Sequence, residues 1–381
     1  MKRDDKQPNP LPQNSKMSCR RTQGRQRDLA AKNKLGGHRH HRILRHFLKP
    51  LFKIGVHTVG QCSRQPYLPE TTDSNKRSIS VRGGLKALNM DALAAAGKIA
   101  RKVREEVPSV VEESVPLIEI CEYVENRIRE EGGLPAFPCN ICINDVAAHY
   151  SPLPMDKKVV PPNALVKVDI GTHIDGYLAD TAVTVNLDPE KEALKIAAEK
   201  ALESAVRDAG PNVAVSELGS IIYSTVKSYG FKPISNLTGH QISRYKVHAG
   251  LSIPNVPSRD EGRLVQGSVY AIEPFVTLPS AAGEVVSGQA ATIYAVRADI
   301  HRRLPKTERL LLQRLDELFH GLPYSPRWIS SLGGEALNLH GKLWKQSKIY
   351  GYQVLVERSG APVAQAEHTI VITDNGCTII T

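Results

Sequence analysis

On either side of Asp175-Gly176, β-branched residues alternate with other types from Val166 to Val185, a pattern that fits one long β-hairpin. Asp-Gly is a favoured pair for the two-residue type I′ turn, which needs positive φ at both positions. With that loop, Ile174 faces Tyr177 and Gly171 faces Asp180, and Asp169 lies two residues further along. Side chains alternate with period two, so Asp169 and Asp180 project from one face as diagonal neighbours, their Cβ atoms roughly 7–8 Å apart. Two carboxylates so placed can share a pair of hard divalent cations about 3.5–4 Å apart. A cation pair is the leading candidate to neutralise them.

Charge divides the chain. Residues 1–89 hold 20 Lys and Arg against 5 Asp and Glu, leaving 30 against 34 in the remainder. The formal charge of +11 therefore belongs to the N-terminal segment, and the body from residue 90 to 381 is slightly acidic. The run Lys32–Arg42 carries His38, His40 and His41, and the segment shows no sustained helical or strand period. It reads either as a disordered basic arm for nucleic acid such as ribosomal RNA, or as a wrongly assigned start with the true one at Met90. It lacks the apolar core of a secretory signal, and no run reaches the ~18 apolar residues of a membrane span. Cys19, Cys62, Cys121, Cys139, Cys142 and Cys377 fit reduced thiols in a cytoplasmic setting. Cys139-Asn-Ile-Cys142 has zinc-ligand spacing, yet no second pair completes a site, so two small buried residues are the plainer reading.

From Met90 the pattern becomes regular. Leu93, Ala96, Ile99, Ala100, Val103 and Val107 mark one amphipathic helix; Ile118, Cys121, Val124 and Ile128 mark a second, over 117–131 and closed by Gly132-Gly133. Asp188-Pro189 opens a third that runs through Asp208, and Ser216 starts a fourth that Gly230 ends. Strand-like runs cover 139–149, the hairpin, 268–277, 284–297 and 363–381, the last with a turn signal at Asn375-Gly376. Two helices, strands, two helices, strands is an α+β plan with similar halves. Residues of about 299–350 interrupt it as a helical insert at the rim (Leu304–His320 and Gly334–Lys348), with Leu310, Leu311, Leu315, Leu318 and Phe319 for packing.

Further ligands must come from elsewhere in the chain. His240 follows a loop in Gly-flanked polar sequence, where a surface histidine is an equally simple reading. Glu273 sits in the apolar run Val269–Val276, and Glu367 precedes Thr369–Ile372. A carboxylate in a buried strand is almost never left unpaired, so a cation or an Arg or Lys partner is implied. Four carboxylates and one imidazole form an oxygen-rich set suited to Mn, Fe, Co or Zn rather than to a thiolate-bound zinc.

These motifs, in order, resemble the type 2 methionine aminopeptidases of archaeal kind, peptidase family M24, with the pita-bread fold. The resemblance runs from Met90 to the C-terminus and does not extend to residues 1–89. It implies metal ligation by Asp169 and Asp180, by His240 in Asn236-Leu-Thr-Gly-His240, by Glu273 in Tyr270-Ala-Ile-Glu273, and by Glu367 in Gln365-Ala-Glu-His-Thr369. It implies substrate contacts at His149 in Ala147-Ala-His-Tyr-Ser-Pro152 and at His248 in Val247-His-Ala-Gly250. It also implies a methionine pocket walled by Phe137, Val247 and Tyr352, although apolar walls are more often plain core. The 299–350 insert sits where the type 2 subfamily carries its helical subdomain.

The implied reaction removes N-terminal methionine from nascent chains whose second residue is small and uncharged. Two divalent ions would activate a water, Asp169 holding one and Asp180 bridging both, with Glu273 as proton shuttle. His149 and His248 would steady the substrate and the oxyanion. A prolidase or aminopeptidase P of the same fold, and a non-catalytic pita-bread protein that binds RNA or the ribosome, are the alternatives. Nothing in the sequence calls for more than a monomer.

Overall fold

The computed structural model describes residues 88–288, 290–297 and 304–381. The described residues belong to one compact unit. The basic segment up to Ala87, with Cys19, Cys62 and the histidines at 38, 40 and 41, lies outside the described residues.

The hairpin is the longest strand pair: Leu165–Ile174 against Tyr177–Asn186, with Ile174 opposite Tyr177, Gly171 opposite Asp180 and Asp169 opposite Ala182. Asp175 and Gly176 have φ of 50° and 80°, the pair of positive values a type I′ turn requires. Asn140–Ile143 and Leu134–Pro135 pair with the first hairpin strand, so that Asn140 faces Asp169.

Two helices cover this sheet. Helix α1 (Met90–Glu106) begins where Asn89 Oδ1 accepts from Ala92 N, and it buries Leu93, Ala96, Ile99, Ala100 and Val103. Helix α2 (Leu117–Glu130) buries Leu117, Ile120, Cys121, Val124 and Ile128 and ends at Gly132, whose φ is 89°. Ile128, Ile141, Val166, Val168 and Ile170 share one core with them. Each such aliphatic side chain gains roughly 1.5–3 kcal/mol on leaving water, which is what holds the helices on the sheet.

The second half repeats the plan. Helix α3 (Glu192–Asp208) follows a short 3-10 turn at Pro189–Lys191, with Asp188 accepting from Glu190 N. Helix α4 (Val215–Ser228) starts one residue before Ser216 and has no side-chain cap; Val215 N donates to Gly262 O, so a distant loop takes the place of a local cap. Both helices pack on strands holding Tyr270, Ile272, Val276, Ala364 and Ile370.

Several expected runs are broken. The 139–149 run splits at Asn144, where φ is 49°, into Asn140–Ile143 and Val146–Ala148. The 284–297 run yields Val285–Ser287 and Ile293–Val296. Strand 268–277 breaks at Glu273-Pro274, and 363–372 at Ala366-Glu367. In each case the first and second pieces join different sheets: Phe275–Thr277 with Val363–Gln365, and Val269–Ile272 with His368–Ile372. At Asn375-Gly376 the hairpin closes through a four-residue loop, Ile372 facing Cys377, rather than a two-residue turn.

The insert contains α5 (Lys306–Phe319), α6 (Pro326–Ile329) and α7 (Ala336–Lys345) around Leu311, Leu312, Leu315, Tyr324, Ile329 and Leu343. Leu310 and Leu318, expected to pack, are solvent-exposed; Leu312 takes the buried position on the helix face instead.

Candidate metal centre and substrate pocket

The two strand breaks place the site. Because Ile272 faces His368 and Phe275 faces Gln365, Glu273 and Glu367 face each other where both strands cross between sheets. Glu367 also bridges to Ala182 of the hairpin, which joins the two halves at this point. His240 lies on the strand Thr238–Ile242, opposite Ala271, and is 5% exposed, so it is a buried strand residue and not a surface loop histidine.

Asp169, Asp180, His240, Glu273, Glu367, His149, His248, Phe137, Val247 and Tyr352 all line one pocket. Asp180, His240 and Glu367 offer ligand atoms that lie within 4.8 Å of one another. His240 Nε2 is 3.6 Å from Asp180 Oδ2 and 3.4 Å from Glu273 Oε1. Gln365 Nε2 donates to Glu367 Oε2 at 3.2 Å. Among the described residues, neither Glu273 nor Glu367 makes an ion pair with Lys or Arg. The arginine-partner reading thus has no support at these positions.

The electrostatics are unfavourable without a cation. Burial raises Asp169 to about 7, and burial with carboxylate neighbours raises Asp180, Glu273 and Glu367 well above the ordinary range. Burial lowers His240 to about 3, so the imidazole is neutral and its lone pair is free for a cation. Asp169 Oδ1 and Asp180 Oδ1 are buried with no hydrogen-bond partner. A buried orphan acceptor costs about 1–3 kcal/mol, and an oxygen-rich set of such atoms fits a hard or borderline divalent ion.

The hairpin carboxylate is fixed from behind. Gly171 turns its carbonyl outward to Ala136 N, and its partner Asp180 turns its backbone N–H and C=O away from the first hairpin strand. Thr369 Oγ1 satisfies both, accepting from Asp180 N and donating to Asp180 O, each at 2.7 Å. Sequence reading missed this role, since the pair is 189 residues apart. It also missed Asn140, Asn236, Leu237, Thr238, Ile293 and Pro323 in the pocket lining. Gly171 has a steric reason of its own: a Cβ there would lie 2.3 Å from Phe137 Cε1, so its absence makes room for the ring.

Above the carboxylates, the rings of His240 and His248 lie 4.3 Å apart by centroid, and His149 meets Tyr352 edge-on at 5.6 Å. His149 Nδ1 is 3.2 Å from Gln353 O, and burial lowers its pKa to about 4. Phe137 and Val247 are each 8% exposed.

Residues 91–374 match the family model of metallopeptidase family M24. The chain belongs to metallopeptidase family M24. A methionine aminopeptidase of Methanocaldococcus jannaschii is 46% identical over 286 residues, covering 75% of this chain and 96% of that protein. One from Methanothermobacter thermautotrophicus is 43% identical over 291 residues, with the same coverages of 75% and 96%. Among solved structures, a thermophilic Arx1 superposes with a TM-score of 0.66 at 20% identity, covering 77% of this chain and 91% of that one. The methionine aminopeptidase of Thermotoga maritima superposes at 0.55 with 23% identity, covering 77% and 96%. These superpositions show the fold alone, the α+β pita-bread fold of family M24. Cys139 and Cys142 are both buried free thiols, and among the described residues the one group arranged to hold a metal is the acidic centre. No helix among the described residues is long and apolar enough to cross a membrane.

Proposed function

We propose that this chain is a methionyl aminopeptidase that releases N-terminal methionine from nascent polypeptides whose second residue is small and uncharged. The observation that carries the reading is the position of the buried carboxylate–imidazole centre in an apolar-walled pocket. The 40–46% identity to proteins named for that activity supports it.

Asp169, Asp180, His240, Glu273 and Glu367 hold divalent metal in this reading. Two cations would balance four buried carboxylates, whereas one would leave net charge in a low-dielectric site, so the charge count supports a pair. The donor set accepts Co, Mn, Fe or Zn. When bound, such ions supply Lewis acidity and lower the pKa of water. Glu273, whose Oε1 lies 3.4 Å from His240 Nε2, would take a proton from the attacking water and pass it to the leaving amine.

The carbonyl of Gln353 can only accept, so His149 carries its proton on Nδ1. The neutral ring then offers Nε2 as an acceptor, which suits the N–H of the scissile amide. Stabilisation of the oxyanion falls to His248. Phe137, Val247 and Tyr352 wall the methionine side chain. Selectivity at the second residue is steric, which apolar walls can supply only by shape.

The catalytic domain spans 90–381 in this proposal, with the insert of about 299–350, and acts as a cytoplasmic monomer. The basic residues 1–89 carry the chemistry for ribosomal RNA phosphates. Peptide hydrolysis tests the function. Met-Gly-Met should lose its methionine while Ala-Pro peptides remain whole; cleavage before proline with residues other than methionine would establish the prolidase alternative.

A further inference from the structure

His149 sits in the left-handed region, φ 66°, immediately after the strand Val146–Ala148. A non-glycine residue there stores about 1–3 kcal/mol of backbone strain and keeps that conformation only where its surroundings over-determine it. The restraints come from behind the pocket. Thr292 Oγ1 donates to His149 O at 3.3 Å and accepts from Ser151 N at 3.0 Å. Arg327, on α6 of the insert, reaches the same segment: Nε donates to Pro152 O at 2.8 Å and Nη2 to Ser151 Oγ at 3.1 Å.

Arg327 is itself locked. Its Nη1 and Nη2 donate to both oxygens of Glu125 on α2, at 3.0 and 2.7 Å, with side-chain exposures of 5% and 3%. Glu125 also accepts from Trp328 Nε1 at 2.7 Å and from Cys139 N at 3.2 Å. A planar fork with donors on three nitrogens can grip a carboxylate and two oxygens of the His149 segment together; a lysine ammonium cannot reproduce that geometry.

We infer that Arg327 is a positioning residue for the hydrolytic reaction: with Glu125 as its anchor, it holds the His149–Pro152 segment so that the His149 ring meets the substrate. This gives the helical insert a role in setting the pocket. The inference rests on the reading of His149 as a substrate contact. A misplacement of about 1 Å can cost on the order of 100-fold in turnover, so a loosened His149 segment should show directly in kcat/KM.

The test is a double-mutant cycle on the metal-loaded full chain with Met-Gly-Met. Arg327→Lys should lower kcat/KM by roughly 10- to 100-fold, and in a His149→Ala background the same substitution should change it by about twofold or less. Equal losses in both backgrounds would mean that Arg327 serves stability alone and would overturn the inference. If His149→Ala by itself leaves turnover unchanged, His149 is no substrate contact, and both the reading and the inference built on it fall. Should Arg327→Lys not fold, Trp328→Phe removes one restraint on Glu125 and enters the same cycle with a smaller expected loss. Histidine NMR gives an independent readout: either variant should move the His149 ring signals and leave those of His240 in place. Movement of neither would also overturn the inference.

Discussion

Thr369→Val is the sharpest test of how the hairpin carboxylate is held. Valine matches threonine in shape, so the substitution removes the hydroxyl and little else. In the wild type that hydroxyl is the partner of both Asp180 N and Asp180 O, and Thr369 is 0% exposed, so water has no ready path to replace it. Two buried main-chain groups lose their partner at about 1–3 kcal/mol each, giving roughly 2–6 kcal/mol of lost unfolding free energy. Asp180 would also lose its fixed orientation, and outer-shell losses of this kind weaken metal binding by roughly 10- to 100-fold. Urea unfolding of the metal-free protein reads the first quantity, and competition with a chromogenic chelator reads the second. Thr369→Ser keeps the hydroxyl and should recover most of the metal affinity. If Thr369→Val binds metal as tightly as wild type and unfolds within about 0.5 kcal/mol of it, the hydroxyl does not position Asp180.

Three further outcomes can be checked. Gly171→Ala puts a methyl 2.3–2.8 Å from the Phe137 ring, so the ring must move; overpacking should cost about 1–3 kcal/mol in stability and raise KM for methionine peptides, and an added Phe137→Leu should recover part of both. Burial raises Asp169 to about 7 from 3.8, so its contribution to stability is full at low pH and is lost as pH rises from about 4 through 7 in the metal-free protein, and the other three carboxylates, also raised by burial, lose theirs in the same direction as they ionise. Bound metal replaces those protons, so unfolding midpoints at pH 5 and pH 8 should diverge between chelator-treated and metal-loaded samples; parallel pH profiles would contradict this. A chain starting at Met90 should fold and release methionine at the full-length rate, measured on Met-Gly-Met, because every ligand lies beyond that residue.

How much was legible depended on the distance between interacting residues. The hairpin register followed from Asp175-Gly176 and a period of two, and both are local. The ends of α1 and α2 were likewise readable from their periodicity and from Gly132. The breaks at Glu273-Pro274 and Ala366-Glu367 were not, because they arise where paired strands pass together from one sheet to another. The cap of α4 was misread for the same kind of reason, since Gly262 supplies it from a distance. Leu310 and Leu318 fit a helical stripe as well as Leu312 does, and only the packing of α7 and Ile349 against α5 separates them. The metal ligands were reached through their motifs. Thr369 and Arg327 had no motif at all, and their work is visible only once residues 189 and 202 positions apart stand side by side.

One measurement tests the central claim most directly: methionine release from Met-Gly-Met by protein stripped of metal, before and after adding back Mn, Co, Fe or Zn. Turnover should vanish on stripping, return with divalent metal, and fail to return in His240→Ala. Full turnover by the stripped protein, or metal-restored turnover in His240→Ala equal to wild type, would contradict a metal-powered centre at Asp169, Asp180, His240, Glu273 and Glu367.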